Sequence, residues 1–157
     1  MKGRLEVESE SGRWVTFFLA DEVLAVRVED VQEVLHQEPL TPVPLAPGHI
    51  LGLLNLRGQI MPAVDLRKRL GFPPRAAGKA SSLLVVKTAE ELLSVVVDDV
   101  GDVMELPQPQ WKPPPDTLPE HHRTYIFGIC PIEEHVVLGL RAEALGGDEQ
   151  RGQGGAP

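Results

Sequence analysis

Apolar residues recur along the chain in pairs of short runs, and a polar turn joins the two runs of each pair. The runs cover residues 15–19 and 24–28, 50–54 and 60–64, 83–86 and 92–97, and 125–129 and 136–140. Short runs separated by turn residues are typical of β-hairpins. After each hairpin the pattern predicts about one turn of amphipathic helix. Four hairpins without a long helix predict a mainly β protein made of small barrels or a sandwich.

Two of the short helices have recognisable boundaries. Asp30 and Glu33 have the spacing of a capping box, which predicts that a helix begins at Asp30 and ends before Pro39. In the second unit, Asp65 is positioned to cap a helix that Gly71 closes.

The second hairpin differs from the others because its apolar residues are consecutive. Ile50, Leu51, Leu53 and Leu54 cannot all point to one face of a strand. A run of this kind is typical of a strand that is buried on both sides. We therefore expect this hairpin to lie between two sheets.

Composition narrows the class of protein further. The chain has 157 residues, of which 42% are hydrophobic, which suits one compact domain. Its formal charge of −8 argues against nucleic acid as a partner, because that affinity depends on clustered cations. The charged residues 1–12 predict a flexible N-terminal segment, and residues 147–157 predict a disordered tail. The folded domain is therefore expected over residues 13–146.

No apolar run approaches the roughly 20 residues that a membrane-spanning helix needs, and residues 1–12 contain no apolar signal region. Cys130 is the single cysteine, so neither a disulfide framework nor a Cys-x-x-Cys pair is expected. The sequence predicts a cytoplasmic protein.

Candidate catalytic and metal-binding residues do not form a constellation. Asp98 and Asp99 follow a strand, where a capping role is favoured over paired catalytic carboxylates. His121 and His122 lie in a proline-flanked segment that is predicted to be a solvated loop, without a third metal ligand nearby. Cys130 follows an apolar run, which favours a buried, inert thiol. No metal site, cofactor or enzymatic activity is predicted.

Two further segments are interpreted as structural. The basic run Arg67-Lys68-Arg69 has the position of the solvated face of a short helix. Residues 106–115 are too rich in proline for the interior of a sheet, and they predict a connecting loop.

One stretch of the sequence is specific enough to indicate a protein family. Residues 52–67, GLLNLRGQIMPAVDLR, closely resemble the signature of CheW-like domains, which reads Gly, two apolar residues, Asn-Leu-Arg-Gly, a short strand containing Pro, and Asp-Leu-Arg. The resemblance continues at residues 17–22, 31–35 and 96–100, and it covers residues 13–146. The chain departs from the family pattern at Ser94, where Gly is common, and at Arg141, where Asp is frequent.

The resemblance implies a fold and a function. The fold is mainly β, with two small SH3-like β-barrels packed side by side and short helices. The function is that of a non-enzymatic chemosensory coupling protein, which links the cytoplasmic tip of a methyl-accepting receptor to the regulatory domain of a CheA-type histidine kinase. Such a protein needs no cofactor, and it works at the inner face of the membrane in receptor arrays.

The resemblance also implies where the receptor binds. The receptor-binding residues are expected to be Arg57, Leu56, Asn55, Glu33 and Val31. Gly58 is expected to be a structural turn residue with positive φ. Glu33 has two interpretations, a helix cap at Asp30 or an ion-pair partner of Arg57. Val31 is equally consistent with core packing and with receptor contact.

Two alternatives remain at the level of sequence. An SH3-like peptide-binding scaffold outside chemotaxis would share the barrels without requiring the Asn-Leu-Arg-Gly turn. A small-molecule-binding protein would use the groove between the barrels, with Asp98, Asp99 and Arg57 as its polar groups.

Overall fold

The computed structural model describes residues 12–76, 80–106 and 110–146. The terminal segments predicted to be flexible lie outside these residues, apart from Gly12. Part of the proline-rich segment, residues 107–109, also lies outside them.

Strands dominate the described residues and form two sheets of five strands. The strands are β1 (Arg13–Leu19), β2 (Glu22–Arg27), β3 (Val31–His36), β4 (Ile50–Leu56), β5 (Gln59–Asp65), β6 (Ser82–Lys87), β7 (Leu92–Val97), β8 (Asp99–Glu105), β9 (Ile126–Ile132) and β10 (His135–Leu140). The first sheet has the order β8-β1-β2-β10-β9, and the second has the order β3-β6-β7-β5-β4. Neighbours are antiparallel except for two parallel pairs, β2 with β10 and β5 with β7. The mainly β class and the four predicted hairpins are confirmed.

Two of the predicted helices are wrong, because strands occupy their place. After a single 3-10 turn at Val28–Asp30, the chain continues as β3, which pairs with β6. The valines at 31 and 34 satisfy helical spacing, but β-branched residues favour strands, and the ladder with β6 decides between the two. Glu33 therefore caps no helix. Likewise, the residues after Asp98 form β8, which pairs with β1.

Each sheet forms one lobe of the protein, the first lobe on the first sheet and the second lobe on the second sheet, and these two unexpected strands connect the lobes. β3 follows a strand of the first sheet and joins the second, and β8 follows a strand of the second sheet and joins the first. The chain therefore passes between the sheets twice, once through each of these strands. The crossings fix the two lobes against each other covalently as well as by packing.

Short helices follow the second and fourth hairpins, as predicted. In α1 (Leu66–Leu70), the Asp65 side chain accepts a hydrogen bond from the Arg67 amide, and Gly71 ends the helix with φ of 87°. The predicted loop at His121 and His122 is wrong, because these residues lie in α2 (Glu120–Tyr125). Residues 142–146 form a further helical turn, α3. None of the helices in the described ranges is long and apolar enough to cross a membrane.

The largest hydrophobic core lies between the sheets. It combines Phe17 and Leu24 of the first sheet, Val86 and Val95 of the second, and Leu70 of α1. The opposite faces of the sheets are also apolar. Trp14, Ala25 and Val137 belong to a core on one side, and Leu54, Met61 and Val85 belong to a core on the other.

The expectation that the β4–β5 hairpin lies between two sheets is wrong, because β4 is the end strand of the second sheet and Leu51 and Ile60 are 38% and 62% exposed. Only part of the hairpin contacts both cores, with Val64 in the core between the sheets and Met61 in the core on the opposite face.

Candidate functional site

The β4–β5 hairpin ends in a two-residue turn that presents an arginine. Arg57 and Gly58 have φ of 53° and 90°, and positive φ at both central residues is the mark of a type I′ turn. The Gly58 amide donates to Oδ1 of Asn55 at 3.0 Å, which closes the turn. Leu56 packs partly against the core of the second sheet, whereas the Arg57 side chain is 69% exposed. The turn therefore holds a guanidinium group at the surface.

Glu33 orients that guanidinium group. Nη2 of Arg57 lies 2.6 Å from Oε1 of Glu33, and Nη1 lies 3.3 Å from Oε2, so the ion pair has two contacts. The hydrogen bond from Arg57 holds the pKa of the Glu33 carboxyl below its ordinary value. The ion-pair interpretation of Glu33 is confirmed, and the capping interpretation is wrong.

The ion pair also shows that the second sheet is curled. Glu33 belongs to β3 and Arg57 follows β4, and these strands occupy opposite ends of the strand order. The sheet therefore curls enough for its two ends to meet at this pair. Val31, at the start of β3, packs partly against the core between the sheets. Core packing thus accounts for Val31, and Arg57 is the exposed cation of the site.

A second polar cluster, centred on Asp98, lies where the two lobes meet. Nη2 and Nε of Arg67 donate to Asp98 at 2.6 and 3.0 Å, and the Ala20 amide of the β1–β2 turn donates at 2.9 Å. Arg75 contributes a longer contact of 3.5 Å. Burial alone would raise the pKa of the Asp98 carboxyl, but the hydrogen bonds from Arg67 and Ala20 hold it below its ordinary value. Asp98 thereby joins helix α1 of one lobe to a turn of the other.

The sequence interpretation missed this cluster. Arg67 was expected on the solvated face of a helix, but its side chain is only 14% exposed. The small-molecule alternative is not supported by this geometry, because Asp98 is already paired and Arg57 is paired with Glu33 instead. Arg57 does not line the open cavity that lies beside Asp98 and Asp99.

Histidines occupy the contact between α1 and α2. The His122 ring stacks on Phe72 at 5.2 Å between centroids, and the His121 ring lies 4.4 Å from it. Burial lowers the pKa of His122, and the nearby His121 lowers it further. Burial and the charge of Arg69 lower the pKa of His49. Among the described residues, no group of three His, Cys, Asp or Glu side chains could hold a metal ion.

The lowered histidine pKa values predict acid sensitivity. His49 and His122 both prefer the neutral form in the folded state. Their contribution to the stability of the folded protein is therefore complete above about pH 6.5 and is lost as the pH falls below it. We expect urea denaturation to give a lower free energy of unfolding at pH 5.5 than at pH 7.5. His122→Gln should flatten this dependence. Equal stability of the wild-type protein at both pH values would contradict the prediction.

Cys130 lies in the core of the first lobe and is fully buried, as predicted. Burial raises the pKa of its thiol. A neutral, inaccessible thiol is a poor nucleophile, so the structure gives this cysteine a packing role.

A substitution at Gly58 tests whether the positive φ of the turn requires glycine. A Cβ atom at this position would meet nothing within 4 Å, so a side chain would be opposed only by the φ of 90°. We expect Gly58→Val to lower the free energy of unfolding by about 1–2 kcal/mol, because a β-branched residue is strained at positive φ. Thermal denaturation measures the loss. Gly48→Ala, which also adds a Cβ in open space but without positive φ, should have little effect. Similar losses for both would show that φ is not the cause.

Comparisons with known proteins point to one family. A family model described as "CheW-like domain" matches residues 13–150. The chain is 27% identical over 137 residues to "Chemotaxis protein CheW" of Rhizobium meliloti, covering 87% of this chain and 88% of that protein. It is 34% identical over 108 residues to "Protein FrzA" of Myxococcus xanthus, covering 67% and 68%. The solved structure of the "scaffolding protein TtCheW" from Thermoanaerobacter tengcongensis matches with a TM-score of 0.74 at 30% identity, over 82% of this chain and 88% of that one.

Proposed function

This chain belongs to the family of CheW-like domains. We infer from this that it is a coupling scaffold of a chemosensory system and not an enzyme. Its proposed partners are the cytoplasmic tip of a methyl-accepting receptor and the regulatory domain of a CheA-type histidine kinase. Its proposed location is the inner face of the membrane, where such receptors assemble in arrays.

The observation that supports a receptor contact most strongly is the Arg57 turn. A type I′ turn fixes the backbone, and the ion pair with Glu33 fixes the side chain, so the guanidinium group is already ordered before a partner arrives. Ordering a side chain in advance lowers the entropy cost of binding. Its free N–H groups suit a carboxylate of an acidic and apolar helical hairpin. We assign the receptor contact to Arg57, with Glu33, Asn55, Leu56 and Val31 as the residues that support it.

Coupling needs no catalytic group. A receptor changes kinase activity through the scaffold if its two signalling states differ in how well they fit the shared contacts. A difference of about 1–3 kcal/mol is enough for a several-fold change in activity. A scaffold with two rigidly joined lobes can transmit such a difference, because its lobes share one core.

Calorimetry tests the proposal directly. We expect the purified protein to release or absorb measurable heat on titration with the cognate kinase's regulatory domain, with micromolar affinity and no turnover. A receptor fragment that contains the cytoplasmic tip should bind as well. An absence of heat with both partners at high micromolar concentration would reject the coupling role. Binding to proline-rich peptides instead would support the peptide-binding alternative.

A further inference from the structure

An open cavity lies between the two lobes, where the β1–β2 turn faces the second sheet. Its volume is about 1170 Å³. The first lobe contributes Ala20 and Asp21 of the turn, and the second lobe contributes His36 at the end of β3 and Arg67 of α1. Arg57 does not line this cavity, so the proposed receptor contact does not account for it.

Arg75 places a cation in the wall of this cavity. Its side chain is only 17% exposed, and its Nε and Nη2 atoms are buried without a hydrogen-bond partner among the described residues. The Asp98 carboxylate lies 3.5 Å from Nε of Arg75. The oxygens of Asp98, however, already accept two hydrogen bonds from Arg67 and one from the Ala20 amide. Asp98 therefore neutralises Arg67, and Arg75 is left without a full partner.

The mostly buried charges of the cavity wall do not balance. The side chains of Arg67, Arg75 and Asp98 are 14%, 17% and 20% exposed, so two guanidinium groups share one carboxylate. Taking a charge out of water is costly unless an opposite charge compensates for it. Asp21 and Asp99 also line the cavity, but both are exposed, and water and salt screen exposed charges strongly. The wall therefore carries an excess positive charge at Arg75.

Neutral hydrogen-bonding groups line the same cavity. They include Ser81, Ser82 and His36. The Ser82 hydroxyl lies 3.5 Å from Nδ1 of His36, which is long for a hydrogen bond and leaves the hydroxyl able to donate elsewhere. The two residues before Arg75 are prolines, which restrict the backbone that carries it. A guanidinium group offers a planar fork of donors that matches two oxygens of a carboxylate or phosphate group. The wall thus has the groups that bind an oxyanion.

We propose that this cavity binds a small molecule through one carboxylate or phosphate group, and that Arg75 is the residue that holds this group. The bound oxyanion compensates for the charge of Arg75 and leaves the pair of Arg67 with Asp98 intact. The exposed carboxylates of Asp21 and Asp99 repel a polyanion such as a nucleic acid, which favours a ligand with a single oxyanion group. The proposal goes beyond the coupling function and does not rest on it, and its test contains neither receptor nor kinase.

The test is thermal denaturation of the whole protein in inorganic phosphate and in acetate, each compared with sodium chloride at the same ionic strength. We expect at least one of these oxyanions to raise the melting temperature by about 2–4 °C, with a response that saturates. Arg75→Gln should abolish the rise, and it should remain folded because Asp98 keeps its hydrogen bonds from Arg67 and Ala20. Lys68→Gln is the matched control, because it removes an exposed cation of α1 and should leave the rise intact.

Line broadening of the phosphorus signal of phosphate, or of the methyl proton signal of acetate, measures the same binding without denaturation. It should occur with the wild-type protein and with Lys68→Gln, and it should be absent with Arg75→Gln. A response to phosphate alone identifies a phosphate group as the ligand chemistry, and a response to acetate alone identifies a carboxylate. Equal melting temperatures in both oxyanions and in chloride would overturn the proposal. An equal rise in Arg75→Gln, or an equal loss in Lys68→Gln, would overturn it as well, because binding would then not depend on Arg75 specifically.

Discussion

Asp98→Ala is expected to lower the free energy of unfolding by about 2–4 kcal/mol, a large loss for the substitution of one polar residue. The substitution removes the acceptor of two Arg67 hydrogen bonds and of the Ala20 amide hydrogen bond. The Arg67 guanidinium group, which is only 14% exposed, would then lack its carboxylate partner. Urea denaturation followed by circular dichroism measures the loss.

Asp99→Ala is the matched control for this prediction. Asp99 is the next residue and is exposed, and its carboxylate accepts only the amide of Val100 among the hydrogen bonds described for it. We expect a change within about 0.5 kcal/mol. The contribution of Asp98 should also disappear with acid, because its lowered pKa means that stability is present above about pH 3.9 and is lost below it. Equal losses for the two alanine variants would contradict the assignment of Asp98 as the link between the lobes.

Arg57→Glu is expected to reduce receptor-dependent control of the kinase at least tenfold, which corresponds to about 1.4 kcal/mol of lost coupling. Reversing the charge places two carboxylates together at positions 33 and 57 and removes the cation from the turn. The measurement is kinase autophosphorylation in the presence of receptor-containing membranes. Lys68→Glu, a charge reversal at an exposed position of α1, should leave control intact.

Exchanging the charges of Arg57 and Glu33 shows whether Arg57 contacts the receptor or only stabilises the sheet. Combining Arg57→Glu with Glu33→Arg restores an ion pair across the curled sheet but moves the guanidinium group from the turn to β3. If the receptor contacts the guanidinium group at the turn, the double variant should recover stability without recovering control. Full recovery of control would show that the pair only holds the sheet together.

The sequence predicted the hairpins because both strands of each hairpin are close in the chain and carry their own apolar pattern. It did not predict β3 and β8, because their partners β6 and β1 are far away in the sequence. The spacing of Val31 and Val34 agrees with a helix as well as with a strand, and only pairing decides between them. The Asp65 cap and the Gly71 end of α1 were predictable, because capping is a local interaction.

The candidate site was also predicted only in part. The Arg57 turn and its Glu33 partner follow from the family signature, and the structure adds the geometry of the pair. The partnership of Arg67 with Asp98 could not be derived, because the two residues are 31 positions apart and meet only because the strands that precede them, β5 and β7, pair in parallel within the second sheet. Long-range pairing is the feature that the sequence pattern does not contain.

The central claim is that this chain couples a receptor to a kinase. Its most direct test is reconstitution of the cognate kinase with receptor-containing membranes, with and without the purified protein, and measurement of kinase autophosphorylation. We predict that the protein raises kinase activity several-fold only when receptor is present, and that the receptor's ligand then alters this activity. Kinase activity that is the same with and without the protein, at concentrations where both partners are saturated, would contradict the claim.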